Sequence, residues 1–257
     1  MILYEGIYID DKNSVKFNWD IDNEPSDIIK LNTSSAGEFN KDNFRYVYGY
    51  CYTSDADKVE RKVVRDYLKA NPYDKNVEHF IETAVFQLDK MSPIELYNIV
   101  VTVESETSDL VDQIELQLLD VIPHCASLHL IKELYDNIKF NEELVIQLLK
   151  DQNKTAHDIR DIITKTKKRF EKLKAEKRLF KIKDYMPTIV RFGFEDFLKF
   201  KTEEDKQLFK SLQGANVLVV DDFLTSGATV KEMTRYLTSI NPTNMITVFV
   251  LINQKHD

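Results

Sequence analysis

Val217-Leu218-Val219-Val220 is the stretch that most narrows what this chain can fold into. Four consecutive apolar residues, three of them β-branched, suit a strand covered on both faces, as in a parallel sheet. Asp221 and Asp222 follow, then Phe223-Leu224 and the small, hydroxyl-rich run Thr225-Ser226-Gly227-Ala228-Thr229. Val230, Met233, Leu237 and Ile240 then recur at helical spacing, which predicts a helix starting near Gly227. Gly227 has no Cβ and accepts a positive φ. Unpaired amides and the dipole at a helix start suit a phosphate, with the Thr225, Ser226 and Thr229 hydroxyls beside them. The segment therefore reads as a device for a sugar phosphate. Two other readings of the same residues are an ordinary strand–turn–helix connection and a dinucleotide site. The first leaves two mutually repelling carboxylates without a purpose. The second lacks the Gly-x-Gly-x-x-Gly spacing.

The run Val217–Thr229 resembles the phosphoribosyl-pyrophosphate (PRPP) motif of the type I phosphoribosyltransferases. That motif is an apolar run, two acids, three variable positions, then Thr or Ser, Gly, a small residue and Thr. Gly214 fits the family's usual lead-in. The resemblance implies an α/β fold with a mostly parallel sheet flanked by helices. It implies that Asp221 and Asp222 hold the ribose hydroxyls and, indirectly, a metal. Thr225, Ser226, Gly227, Ala228 and Thr229 would wrap the 5′-phosphate. Mg²⁺ is the implied cofactor, and PRPP and a nucleobase-like acceptor are the implied substrates, with pyrophosphate leaving. A homo-oligomer is expected.

A second strand–loop–helix unit is predicted upstream. Ile99–Val103 has strand length, and Asp109–Leu119 carries Leu110, Ile114 and Leu118 at helical spacing, with Ser108 or Asp109 as cap. Between them lie Glu104, Ser105, Glu106, Thr107 and Ser108, the positional candidate for the family's pyrophosphate loop. Its hydroxyls can donate to an anion, whereas its two glutamates repel one unless a cation stands between. An acidic helix-capping turn is the alternative. In a parallel sheet both polar loops, 104–108 and 221–229, lie beyond the same strand ends.

Residues 1–76 read as a β-rich N-terminal extension plus a helix, and 77–257 as the core with a helical insertion at about 131–213. Met1–Ile9, Val15–Trp19 and Phe44–Tyr52 have strand character, and Tyr46, Tyr48, Tyr50 and Tyr52 alternate onto one face. Helices are predicted over 57–70, 77–90, 141–150, 157–177 and 202–212, and strands over 121–130 and 245–252. Residues 184–200 show no clear period. Lys165–Lys183 holds ten Lys or Arg and two acids, a net +8 that leaves −16 for the rest of a chain of net −8. It reads either as a cationic arm for phosphates, including RNA or DNA, or as a solvated helix face, and its lack of aromatics on the basic side favours the face.

An acidic chain is a poor default partner for duplex nucleic acid. Two cysteines, Cys51 and Cys125, make no disulfide framework and point to a reducing, cytoplasmic setting. No signal peptide or membrane span is expected. The histidines have no zinc-type spacing with the cysteines. Asn253-Gln254-Lys255, after the last strand, is the candidate for reading an acceptor base, with a surface tail as the alternative. The functional classes that remain are an active phosphoribosyltransferase, a non-catalytic PRPP- or nucleotide-binding regulator of the same fold, and a structural or nucleic-acid-interacting protein.

Overall fold

The computed structural model describes residues 6–9, 14–18, 30–31, 33–34, 37–41, 44–52, 58–105, 108–122 and 124–253. In chain order they form β1 (Gly6–Ile9), β2 (Val15–Asn18), β3 (Lys30–Leu31), β4 (Thr33–Ser34), β5 (Gly37–Lys41) and β6 (Phe44–Tyr52). Then come α1 (Lys58–Ala70), α2 (Lys75–Met91), β7 (Ile99–Val103), α3 (Leu110–Val121) and β8 (Ala126–Lys132). β9 (Lys139–Phe140), α4 (Glu142–Asp151), α5 (Ala156–Ala175), β10 (Phe194–Glu195), β11 (Leu198–Phe200) and α6 (Glu203–Ser211) follow. β12 (Asn216–Leu224), α7 (Ala228–Ile240) and β13 (Met245–Asn253) come last. The chain divides into two compact units, one of Met1–Leu128, Gly214–Thr225 and Asn244–Asp257, the other of His129–Gln213 and Ser226–Thr243.

The first unit is an α/β layer. β7, β12, β13 and β6 lie side by side in that order, all parallel. Val217, Leu218 and Val219 pair with Ile99, Val100 and Val101 on one side and with Ile246, Thr247 and Val248 on the other. Each of the four residues Val217–Val220 is buried, as a strand covered on both faces demands. β6, from the stretch read as an N-terminal extension, is itself a strand of this sheet and carries β4 and β5 antiparallel to it. α2 and α3 cover one face through Phe80, Ala84, Leu88, Ile114 and Leu118, which meet Leu218, Val220, Phe249 and Leu251 in one core. Tyr46 and Tyr50 are buried, and Tyr50 stacks on Phe80 with ring centroids 3.9 Å apart. The side chain of Tyr52 and residues 1–5 lie outside the described residues.

Helix periods predicted from apolar spacing appear within one or two residues of their expected ends, as fraying ends allow. Two regions differ. The strand expected over 121–130 begins only at Ala126, because α3 runs to Val121 and His124 turns the chain with φ 62°. β12 is longer than its apolar run. Asp221, Phe223 and Leu224 still pair with Val250, Ile252 and Asn253, so the twin aspartates belong to the end of the strand.

The second unit is built on helices and an aromatic core. Residues 184–200 resist a periodic reading because their order comes from ring packing. Tyr185 and Phe194 lie 4.2 Å apart by centroid, and Phe180 packs on Phe194, Phe197 and Tyr135. β10 pairs with β9 and β11 with the end of β8, both antiparallel. α4, α5 and α6 are capped by Asn141, Thr155 and Thr202, whose side chains accept the amides of Leu144, Asp158 and Asp205. Along α5, Ile159, Ile163, Phe170 and Leu173 turn inward. At least six of the ten cations in Lys165–Lys183 meet acids, among them Lys165 with Asp161 (2.7 Å) and Arg169 with Asp184 (3.6 Å). This pattern is that of a solvated helix face. Among the described residues no helix is long and apolar enough to cross a membrane.

Candidate functional site

Because β7 and β12 are parallel, their carboxyl ends share one edge of the first unit's sheet. Glu104 and Ser105 leave β7 there, and Asp221 and Asp222 lie among the last four residues of β12. Of the two polar loops, Glu104, Ser105, Asp221 and Asp222 thus share that edge. Glu106 and Thr107 lie outside them, as do Gln254 and Lys255 of the candidate base-reading tail, while Asn253 is a buried residue of β13.

The two aspartates are held differently. Asp222 is buried, its Oδ1 accepts the Phe223 amide at 2.8 Å, and its Oδ2 is ion-paired with Lys69 of α1. Asp221 is half-buried and its Oδ1 accepts the Asp222 amide at 3.0 Å. Withdrawal from water, and then the Asp222 charge beside it, push the Asp221 carboxyl well above the usual carboxylate range, while Lys69 works in the opposite direction. A carboxyl whose pKa is raised by folding costs stability once it must ionise. That cost is absent below the unfolded value of ~4 and grows as pH rises through the folded value. Asp221→Asn is therefore expected to match the parent in stability near pH ~4 and to exceed it progressively toward and above neutrality. Urea unfolding across that range checks it, and a gap that stays constant with pH would contradict it.

Lys69 is the residue that sequence reasoning missed. Its ammonium lies on Asp222 and 5.5 Å from the centre of the Phe223 ring. Its carbonyl accepts the Ser108 hydroxyl at 3.2 Å. One residue at the end of α1 thus joins the loop after β7 to the aspartates of β12. Ser108 is buried, and its oxygen also accepts the Leu110 amide at 3.2 Å. It therefore serves α3 as the capping hydroxyl, while Asp109, at the cap position, makes no side-chain cap bond. The only sequence signal for Lys69 is a cation in the last turn of a helix, which is ordinary. A second buried carboxylate that the sequence did not announce is Glu115 of α3, which accepts the hydroxyls of Thr102 (3.0 Å) and Ser127.

Thr225 is exposed at the end of its segment, with its amide on the Phe223 carbonyl at 3.1 Å. In the second unit Ser226 is buried and accepts the Ala228 amide at 3.2 Å, closing the first turn of α7. Gly227 is its N-cap with φ 79°, a left-handed conformation that side chains with a Cβ resist, and Thr229 is half-buried. The predicted inward stripe of α7 is present, with Val230, Met233 and Leu237 buried.

Among the described residues no three His, Cys, Asp or Glu side chains are grouped to hold a metal. Asp221 and Asp222 nonetheless offer carboxylate oxygens, and Mg²⁺ is commonly held by one or two carboxylates together with waters and phosphate oxygens. The donor set fits a magnesium ion that arrives with a phosphate-bearing ligand.

No curated protein matches the chain. Solved structures similar to it include a hypoxanthine phosphoribosyltransferase from Staphylococcus aureus in two crystal forms. The orthorhombic form is 11% identical, covering 70% of this chain and 69% of that one with a TM-score of 0.33. The tetragonal form is 10% identical, covering 70% and 68% with a TM-score of 0.34. Residues 188–257 match the family model of the phosphoribosyl transferase domain. That stretch contains β12, the Thr225–Thr229 turn and α7, and it is this part of the chain that is similar to the phosphoribosyl transferase domain.

Proposed function

We propose that the chain binds PRPP and transfers its phosphoribosyl group to a nucleobase-like acceptor, releasing pyrophosphate. The observation that carries this reading is the pair of carboxylates near the end of β12 and, five residues after Asp222 in the chain, the left-handed Gly227 cap of α7, within the stretch that matches the family model. In this reading Asp221 and Asp222 hold the ribose diol and face the positive charge that develops at the anomeric carbon. Thr225, Ser226, Gly227, Ala228 and Thr229 hold the 5′-phosphate through amides and hydroxyls. Glu104, Ser105, Glu106, Thr107 and Ser108 flank the pyrophosphate. Asp221 and Asp222 would hold a magnesium ion indirectly, and that ion would supply neutralisation of the leaving group. The protein's task is to orient the substrates and stabilise separated charge.

Lys69 has a defined part in this reading. It brings a cation to a sheet edge that otherwise presents Asp221, Asp222 and Glu104, and so lets an anionic ligand approach. Lys69→Met is expected to weaken Mg²⁺-PRPP binding roughly tenfold, the size of one charge-assisted hydrogen bond. Isothermal titration reads this directly, and an affinity that rises on removing the lysine would overturn the role. A second reading, a PRPP- or nucleotide-binding regulator without turnover, is favoured by that same ion pair, since both Asp222 oxygens are already engaged within the chain. Pyrophosphate release from PRPP with a panel of nucleobases separates the two. Release with any base supports transfer, and binding without release supports the regulator.

A further inference from the structure

Two apolar helix faces with opposite rims are left over by the proposed chemistry, one in each unit. In the second unit α4 and α5 enclose a groove of about 550 Å³. Its floor is Ile146, Ile159 and Ile163, and its rim is Lys150, Lys154, Arg160 and Lys167. The single acid there, Glu142, is already ion-paired with Lys167. In the first unit α2 and α3 border a second groove, of about 490 Å³, beside which Phe86 and Val121 stand 57% and 45% exposed. Its rim is acidic. Glu82 and Glu95 are exposed, and Asp89 accepts the Ile94 amide at 3.1 Å. Lys90 lies 4.2 Å above the Phe86 ring, and His79 stands 3.3 Å from Glu82.

We infer that these faces are the two halves of an interface between copies of this chain, with the Phe86 face of one copy seated in the α4–α5 groove of the next. Charge complementarity selects this occupant. The groove asks for an apolar anchor bordered by acids, and the α2–α3 face of the chain is one. An exposed phenylalanine over an apolar helix face is the kind of anchor that interfaces bury, and opposite rims set its register. The two patches differ, so the contact is heterologous, and repetition adds copies in a line or ring. A chain of net −8 repels its copies at long range. The attraction is therefore local, and the rim charges make it sensitive to salt.

Sedimentation velocity of the full chain tests this. The wild type is expected to gain weight-average mass with concentration, with the association constant falling about tenfold or more as salt rises from ~0.05 to ~0.5 M. Lys154→Glu with Arg160→Glu is expected to sediment as a monomer, and so is Glu82→Lys with Glu95→Lys. An equimolar mixture of the two variants is expected to associate again, because each then offers the other a complementary pair of faces. Far-UV circular dichroism matched to wild type shows that both variants are folded. A wild type that stays monomeric at every concentration overturns the inference. So does association that survives in either variant, or a mixture of folded variants that remains monomeric, as a different partner in the groove would leave it.

Discussion

Asp221→Asn combined with Asp222→Asn is expected to weaken Mg²⁺-PRPP binding by roughly 10²–10⁴-fold. Each carboxylate is assigned one charge-assisted contact to the ribose diol, at about 1.5–3 kcal/mol apiece, and the two together amount to about 3–6 kcal/mol. The two side chains are not equivalent. Asp222 is ion-paired with Lys69 and bonded to the Phe223 amide, so its loss also leaves a lysine without its counter-ion. Asp221 is the carboxyl that withdrawal from water holds toward its neutral form. Asp222→Asn alone is therefore expected to account for the larger part of the loss. Isothermal titration of the two single variants and the double variant, with circular dichroism to establish folding, reads each share. A folded double variant that binds Mg²⁺-PRPP as tightly as wild type would remove the aspartates from the site.

Gly49→Val is expected to lower the stability of the first unit by about 3 kcal/mol or more, or roughly 10 °C in thermal midpoint. Gly49 sits in β6 directly under α2. A Cβ built there lies 2.3 Å from the Ala84 Cβ and 3.0 Å from the Ala84 Cα. Its φ is not positive, so the requirement is for space and not for conformation. The helix backbone has to lift off the sheet to admit a side chain, and Phe80 and Leu88 on the same face lose their packing. Ala84→Gly is expected to recover part of the cost of Gly49→Ala, because it removes the atom that is struck. A double-mutant cycle measured by thermal unfolding gives that coupling. An unchanged midpoint in Gly49→Val would show that β6 and α2 are not in close contact.

Much of the fold could be read from neighbouring residues. The β-branched run Val217–Val220, the repeat Val230, Met233, Leu237, and the Leu110, Ile114, Leu118 stripe each mark an element because burial on one side of a helix or both sides of a strand repeats with a short period. The turn at Gly227 was legible for the same reason, since only a residue without a Cβ enters a left-handed cap at little cost. Residues 184–200 were not legible. Their order is set by rings such as Phe180, Phe194 and Phe197 meeting across the chain, and ring packing leaves no period in sequence. β12 was read correctly as a strand but too short, because the two aspartates interrupt the apolar run while pairing with β13 carries the strand on through Phe223 and Leu224.

For the candidate site, the sequence by itself determined the order of parts, strand, two acids, small turn and helix, because each is imposed by local backbone and side-chain chemistry. The tertiary structure alone decided that Lys69 faces Asp222, that the Ser108 hydroxyl turns to the Lys69 carbonyl, and that withdrawal from water raises Asp221. It also decided that β6 lies beside β13. The physical reason is range. Charge pairing and withdrawal from water depend on which surfaces the packed sheet and helices bring together, and residues far apart in the chain carry no mark of one another until it folds.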